Sequence, residues 1–170
     1  MNNEELFEQG VGQWYVLHTR SRHEKSLAED LRARRIRHFL PLITKARRWG
    51  KRKATVQEPL FPGYLFLRGS NEDAYTADRT RWVAQIIAVA DQKRLDWELR
   101  NIARALDEKA PLDPYPYLKE GIRVEVTSGP LRGLQGLIES RTSFDKLILA
   151  VDMLGQGVTL ELQGASVEPL

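Results

Sequence analysis

The chain contains no cysteine. Disulfides, thiolate nucleophiles and cysteine-ligated zinc are excluded, and the lack is compatible with a reducing, cytoplasmic compartment. Histidine is scarce. His18, His23 and His38 lack H-x-x-x-H spacing, and no carboxylate set completes a metal site with them. No metal or cofactor is expected. P-loop, G-x-S-x-G and G-x-G-x-x-G motifs are all missing, and acids in the basic half are scattered, so an enzyme is not expected. Long apolar runs are missing too. Stretches such as Trp82 to Ala90 fall far short of the ~20 residues that span a membrane. The first twelve residues carry Glu4, Glu5 and Glu8, with neither the basic nor the apolar region of a secretory signal. A cytoplasmic protein with no membrane partner is expected.

What is present describes a folded chain. Hydrophobic residues make up 42% and charged residues 29% of 170, enough for one ordinary domain or two small ones. The net charge of +3 hides an uneven distribution. Residues 1–110 carry a net of +6 and residues 111–170 a net of −3. Between Arg20 and Lys53 there are 13 basic residues against 3 acidic ones. That density points to a polyanion partner for the first half, with a solvated basic face as the bland alternative.

The composition changes at Ala110-Pro-Leu-Asp-Pro-Tyr-Pro-Tyr117. Proline lacks the amide hydrogen and blocks helix continuation, so this reads as an extended linker. The expected division is a first domain over 13–108, a Pro-rich linker over 109–118 and a second domain over 119–170.

In the first domain, Trp14 to His18 suits a strand. Ser21 and Glu24 form an S-x-x-E capping-box pattern ahead of an apolar stripe of Leu27, Ala28, Leu31 and Ile36. Strands are expected at Phe39 to Ile43, Leu60 to Leu67 and Gln85 to Val89, with a basic hairpin tip turning at Gly50. Asp73 to Arg81 reads as a short helix, and Asp96 as the cap of a last one bearing Leu99, Ile102, Ala103 and Leu106. The order β-α-β-β-α-β-α implies an α+β sandwich with a mixed sheet. After the prolines, five short strands separated by turn signals favour a small β-barrel.

Gly121-x-x-Val-x-Val-x-x-Gly-Pro-Leu-x-Gly-x-x-Gly-x-Ile138 resembles a KOW motif, found in SH3-like barrels. Gly129 and Gly136 suit positive φ or close backbone approach. Trp14-Tyr15 opening a strand, and Leu60-Phe-Pro-Gly-Tyr-Leu-Phe66 closing the basic hairpin, resemble the N-terminal (NGN) domain of the NusG family. Both motifs in this order cover nearly the whole chain. The stretch Gly50 to Phe66 is similar to the specialised RfaH-like branch.

The resemblance implies a bacterial transcription elongation and antitermination factor that acts as a monomer. Its N-terminal domain would bind the clamp helices of the largest RNA polymerase subunit, bridge the DNA channel, and suppress pausing and termination. Phe61, Tyr64 and Phe66 match the aromatic pocket for those helices, although ordinary core packing is the competing reading of these rings. His18, Arg20, Arg22, His23, Lys25, Thr80 and Arg81 are the matching candidates for upstream or non-template DNA. The Thr-rich run of the RfaH-like group is replaced here by Ala74-Tyr75-Thr76. Met153 and Leu154 match the barrel tip that recruits ribosomal protein NusE or Rho, with barrel core as the alternative. Glu58 and Lys146 are a candidate interdomain pair. RfaH-like C-terminal domains can also become helical hairpins, but each interior glycine costs a helix roughly 1 kcal/mol. A constitutive barrel is therefore expected. Two other functions stay open: a general NusG supporting Rho-dependent termination, and a ribosome-associated KOW RNA-binding protein.

Overall fold

The computed structural model describes residues 6–7, 11–115, 120–139 and 145–170. The chain divides into two compact units, Met1–Gln92 and Lys93–Leu170. This division lies ahead of the Pro-rich stretch, whose residues 116–118 fall outside the described residues.

The first unit contains β1 (Gln13–Thr19), α1 (Glu24–Ala33), β2 (His38–Phe39), β3 (Leu42–Trp49), β4 (Arg52–Pro59), β5 (Tyr64–Gly69), α2 (Asn71–Asp78) and β6 (Val83–Ala88). Four strands form one sheet in the order β2-β5-β1-β6. The expected mixed sheet is corrected here, because every neighbouring pair in it is antiparallel. The reason is an interleaving of two crossovers. β1-α1-β2 and β5-α2-β6 each bring the chain back parallel but skip one position, and a strand of the other crossover fills that gap.

Strand alternation gives this sheet two faces. Leu17, Leu65 and Leu67 pack with Leu27, Ala28 and Leu31 of α1, Ala77 of α2, and Ile36 and Val83. The register aligns Val16 with Phe66 and His18 with Tyr64 on the other face. There Phe66 meets Phe39 and Phe61, while Phe7 meets Phe39 and Trp14.

Several local expectations shift. Phe39 to Ile43 is two strands, interrupted at Leu40-Pro41. Ser21 does not cap α1; His23 occupies the N-cap position without a side-chain cap bond. The capping box lies instead at Ser70 and Asp73, whose side chains bond each other's backbone amides at the start of α2. β3 and β4 form a separate two-stranded hairpin that turns at Gly50, where φ is +60°.

His38 gives the first unit an acid-sensitive position. Its Nδ1 pairs with the Ile36 carbonyl at 2.9 Å. Burial holds its pKa below the ordinary 6.5, and the Arg32 charge acts the same way, against the Ile36 bond. A depressed histidine pKa means the unfolded chain binds the proton first as pH falls. The associated stability is present above about pH 6.5 and is lost as pH falls through the lowered folded value. Melting curves from pH 7.5 to 5.5 should show a decline that His38→Gln flattens. An equal decline in the variant would place the sensitivity elsewhere.

The second unit holds all but the first residue of α3 (Gln92–Asp107), then β7 (Asp113–Tyr115), β8 (Ile122–Val126), β9 (Gln135–Ile138), β10 (Lys146–Val151), β11 (Gln156–Glu161) and β12 (Val167–Pro169). These six strands form an antiparallel sheet in the order β12-β8-β9-β10-β11-β7. The count exceeds the expected five because β7 lies in the Pro-rich stretch. Pro114 donates no ladder bond, which an edge strand tolerates. α3 begins before Asp96, which pairs with Arg100 one turn on at 2.7 Å instead of capping. The region considered for a helical hairpin is strand, β10 paired with β11.

Candidate functional site

The Phe61–Tyr64 turn organises one end of the first sheet. The Tyr64 amide donates to the Phe61 carbonyl at 3.1 Å, and Gly63 takes φ of +86°. Pro62 followed by a left-handed glycine is the sequence of a type II turn. The β1–α1 junction then holds this turn from both sides of one residue. Gly63 donates its amide to Oε1 of buried Glu24 at 2.8 Å, and its carbonyl accepts from the Thr19 amide at 2.8 Å. Glu24 thus serves the turn, which is why it forms no capping box with Ser21.

The predicted aromatic set separates by burial. Phe61 and Phe66 are 1% and 0% exposed and meet edge-on at 6.1 Å. Both rings pack within the core of the first unit. Tyr64 is half-buried and stacks on His18 with ring centroids 5.2 Å apart. This pair is the accessible aromatic surface of the set.

The predicted basic residues converge in part. The Arg20 amide donates to the Trp82 carbonyl at 2.8 Å, which ties the β1–α1 junction to the α2–β6 junction. His23 stacks on Trp82 at 4.9 Å, and the Arg81 guanidinium lies 4.6 Å from the same ring centre. Arg20, Arg22 and Arg81 are exposed, and Arg81 is the one that lies over this indole. Thr80 instead uses its hydroxyl locally, donating to the Ala77 carbonyl at 2.7 Å. Lys25 lines a separate cleft with Glu29, Arg32 and His38. Trp82 is the residue that sequence reasoning missed. Its signal was an aromatic directly following Thr80-Arg81, because stacking platforms beside cations suit nucleic acid.

Glu58 has cationic partners within its hairpin. Its carboxylate accepts from Nε of Arg47 at 2.8 Å and lies 3.6 Å from Lys45. The Arg47 hydrogen bond holds its pKa below the usual carboxylate value. Lys146 stands opposite Glu161 within its own sheet. Within its own unit, the Glu58 carboxylate is thus engaged by Arg47 and Lys45 of the same hairpin.

In the second unit, Met153 and Leu154 occupy a single 3-10 turn, Asp152–Leu154, closed by left-handed Gly155. Met153 is 38% exposed and Leu154 half-buried. The turn is anchored to α3, since the Asp152 amide donates to buried Glu98 at 3.0 Å and its carboxylate pairs with Arg94.

Among the described residues, no group of three or more His, Asp or Glu could hold a metal ion. Among them, no helix is long and apolar enough to cross a membrane.

Comparison with known proteins then places the chain. The family model described as "NusG: Transcription termination factor nusG" matches residues 12–102. Two solved chains from the MjSpt4:Spt5 complex are also similar. Conformation A has 12% identity over 92% of this chain and 98% of the other, at a TM-score of 0.29. Conformation B has 13% identity over 92% and 97%, also at 0.29. Binding to RNA polymerase is typical of the matched family. Because its model spans more than half of the residues, the chain belongs to the NusG family of transcription factors, whose members are not enzymes.

Proposed function

We propose that this protein is a transcription elongation factor of the specialised, RfaH-like branch, working in the cytoplasm as a monomer. It binds the clamp helices of the largest RNA polymerase subunit through the first unit and suppresses pausing and termination. The observation that carries this reading is the half-buried Tyr64–His18 stack, joined through the Gly63 turn to an exposed basic junction. Aromatic rings bury large area at little rotamer cost, which suits a helix-binding surface. Phe61 and Phe66 shape that surface from beneath. Arg20, Arg22, His23 and Arg81, with Trp82 stacked against His23 and Arg81, face upstream or non-template DNA. The second unit closes as a small barrel, and exposed Met153 beside Leu154 recruits NusE or Rho. A general NusG supporting Rho-dependent termination is the second reading, favoured by the matched family's own description.

The test is a pull-down of core RNA polymerase. Tyr64→Ala should weaken binding at least ~10-fold, the range of an interface hot spot. The Tyr64 ring is half-buried, so its melting transition should move little. Undiminished polymerase binding in the variant would remove Tyr64 from the interface and with it this reading.

A further inference from the structure

The β3–β4 hairpin has a chemistry that the reading above does not use. Its outer half, Ala46 to Thr55, is exposed on both faces and belongs to no larger sheet. Isolated two-stranded ribbons are marginal in water. This one also concentrates like charge. Arg48 stands directly opposite Lys53, a cross-strand pairing of two cations that destabilises a ribbon. Glu58 neutralises Lys45 and Arg47 near the base. Arg48, Lys51, Arg52 and Lys53 form no ion pair among the described residues, and Arg48 reaches only the Gly50 carbonyl, at 3.3 Å.

An aromatic ring stands among these charges. Trp49 is 58% exposed and lies opposite Arg52, next to the Gly50 turn. By alternation, Trp49 and Arg52 share one face of the ribbon, and Arg48 and Lys53 share the other. A bare indole on a ribbon that carries cations on both of its faces is a poor solvent surface. It matches a ligand that presents flat rings and regularly spaced negative charge. A two-stranded ribbon is also narrow enough to enter a duplex major groove.

We propose that the outer half of this hairpin is a second nucleic-acid contact, separate from the Trp82 junction. Arg48, Lys51, Arg52 and Lys53 engage phosphates, and Trp49 stacks on a base left open at a junction between duplex and single strand. The inference extends the DNA contact of the reading above but requires no polymerase.

The experiment measures binding of the full-length protein to labelled forked DNA and to blunt duplex of equal length, over a range of salt. Neutralising all four cations (Arg48→Gln, Lys51→Gln, Arg52→Gln, Lys53→Gln) should flatten the salt dependence. The slope of log K against log[salt] should fall by about 3–4, near 0.9 for each phosphate that a removed cation had neutralised. Trp49→Ala should lose about tenfold on forked DNA, with little loss on blunt duplex and an unchanged slope. All substituted side chains are exposed, so no variant should melt below the wild type. An unchanged slope in the four-cation variant overturns the phosphate contact. Equal losses on both DNAs for Trp49→Ala overturn the stacking role. If DNA binding is intact while the four-cation variant loses core polymerase, the hairpin is a protein contact and the inference fails. Naked DNA is the probe, so absence of polymerase binding by Tyr64→Ala, or even by wild type, leaves this result readable.

Discussion

Phe66→Ala should destabilise the first unit by about 3–5 kcal/mol, the usual cost of removing a buried phenyl ring. The ring has no exposed surface, and Phe39 and Phe61 pack against it. Its strand cannot shift to fill the space. β5 is paired with β1 on one side and β2 on the other, and its opposite face is occupied by Leu65 and Leu67 against the helices. For a unit of this size each 1 kcal/mol moves the melting temperature by roughly 4–8 °C, so a fall of more than ~10 °C is expected. Phe66→Asp should be worse, because it also places a carboxylate in an apolar site. Polymerase binding lost in either variant would therefore report unfolding. Tyr64→Ala separates the two causes, since its ring is half-buried against His18. A Phe66→Ala protein that melts like wild type yet fails to bind polymerase would make the ring a surface anchor after all.

That distinction explains what the sequence could and could not reveal. Period-two alternation marks Leu60 to Leu67 as a strand, but it identifies an outer face only when one face is polar. Here both faces of β5 are covered, one by helices and one by aromatic rings. The alternation of Tyr64 and Phe66 therefore said nothing about which ring is accessible. The Gly50 turn and its basic arms were legible because turn chemistry and charge are local. The Glu24–Gly63 bond was not, because it joins residues 39 apart. Ser21-x-x-Glu24 satisfies a local pattern, and a tertiary partner takes its carboxylate instead. The convergence on Trp82 failed to show for the same reason: it depends on two junctions meeting. α3 has a clear apolar stripe, yet a stripe does not say which neighbours it will join. Its buried Glu98 pairs with Arg94 one turn back, but its bond to the Asp152 amide belongs to no helix pattern.

Gly136→Ala should be the most damaging small change in the second unit. A Cβ added there would lie 2.5 Å from the Ile148 carbonyl oxygen and 2.9 Å from the Leu147 side chain. The first of these is backbone and cannot rotate aside. Gly136 is on β9, in the middle of the run β8-β9-β10, and is itself paired with Val124. Relief would require β9 to move away from β10, straining the Ile148–Leu137 pairing. Overpacking of this kind costs about 1–3 kcal/mol and occasionally more. Gly155 offers the matched control. It takes a left-handed φ of +62° with nothing near its Cβ position, so Gly155→Ala should cost only the conformational penalty of about 1–2 kcal/mol. The KOW-like glycines therefore act through different physics, close approach at Gly136 and a backbone turn at Gly129, where φ is +82°. Denaturant unfolding of the full-length variants should rank Gly136→Ala below Gly155→Ala. Gly155→Asn should recover part of its loss, because asparagine tolerates the left-handed region, whereas no side chain should restore Gly136. The reverse ranking would mean that β9 and β10 approach less closely than the carbonyl distance requires.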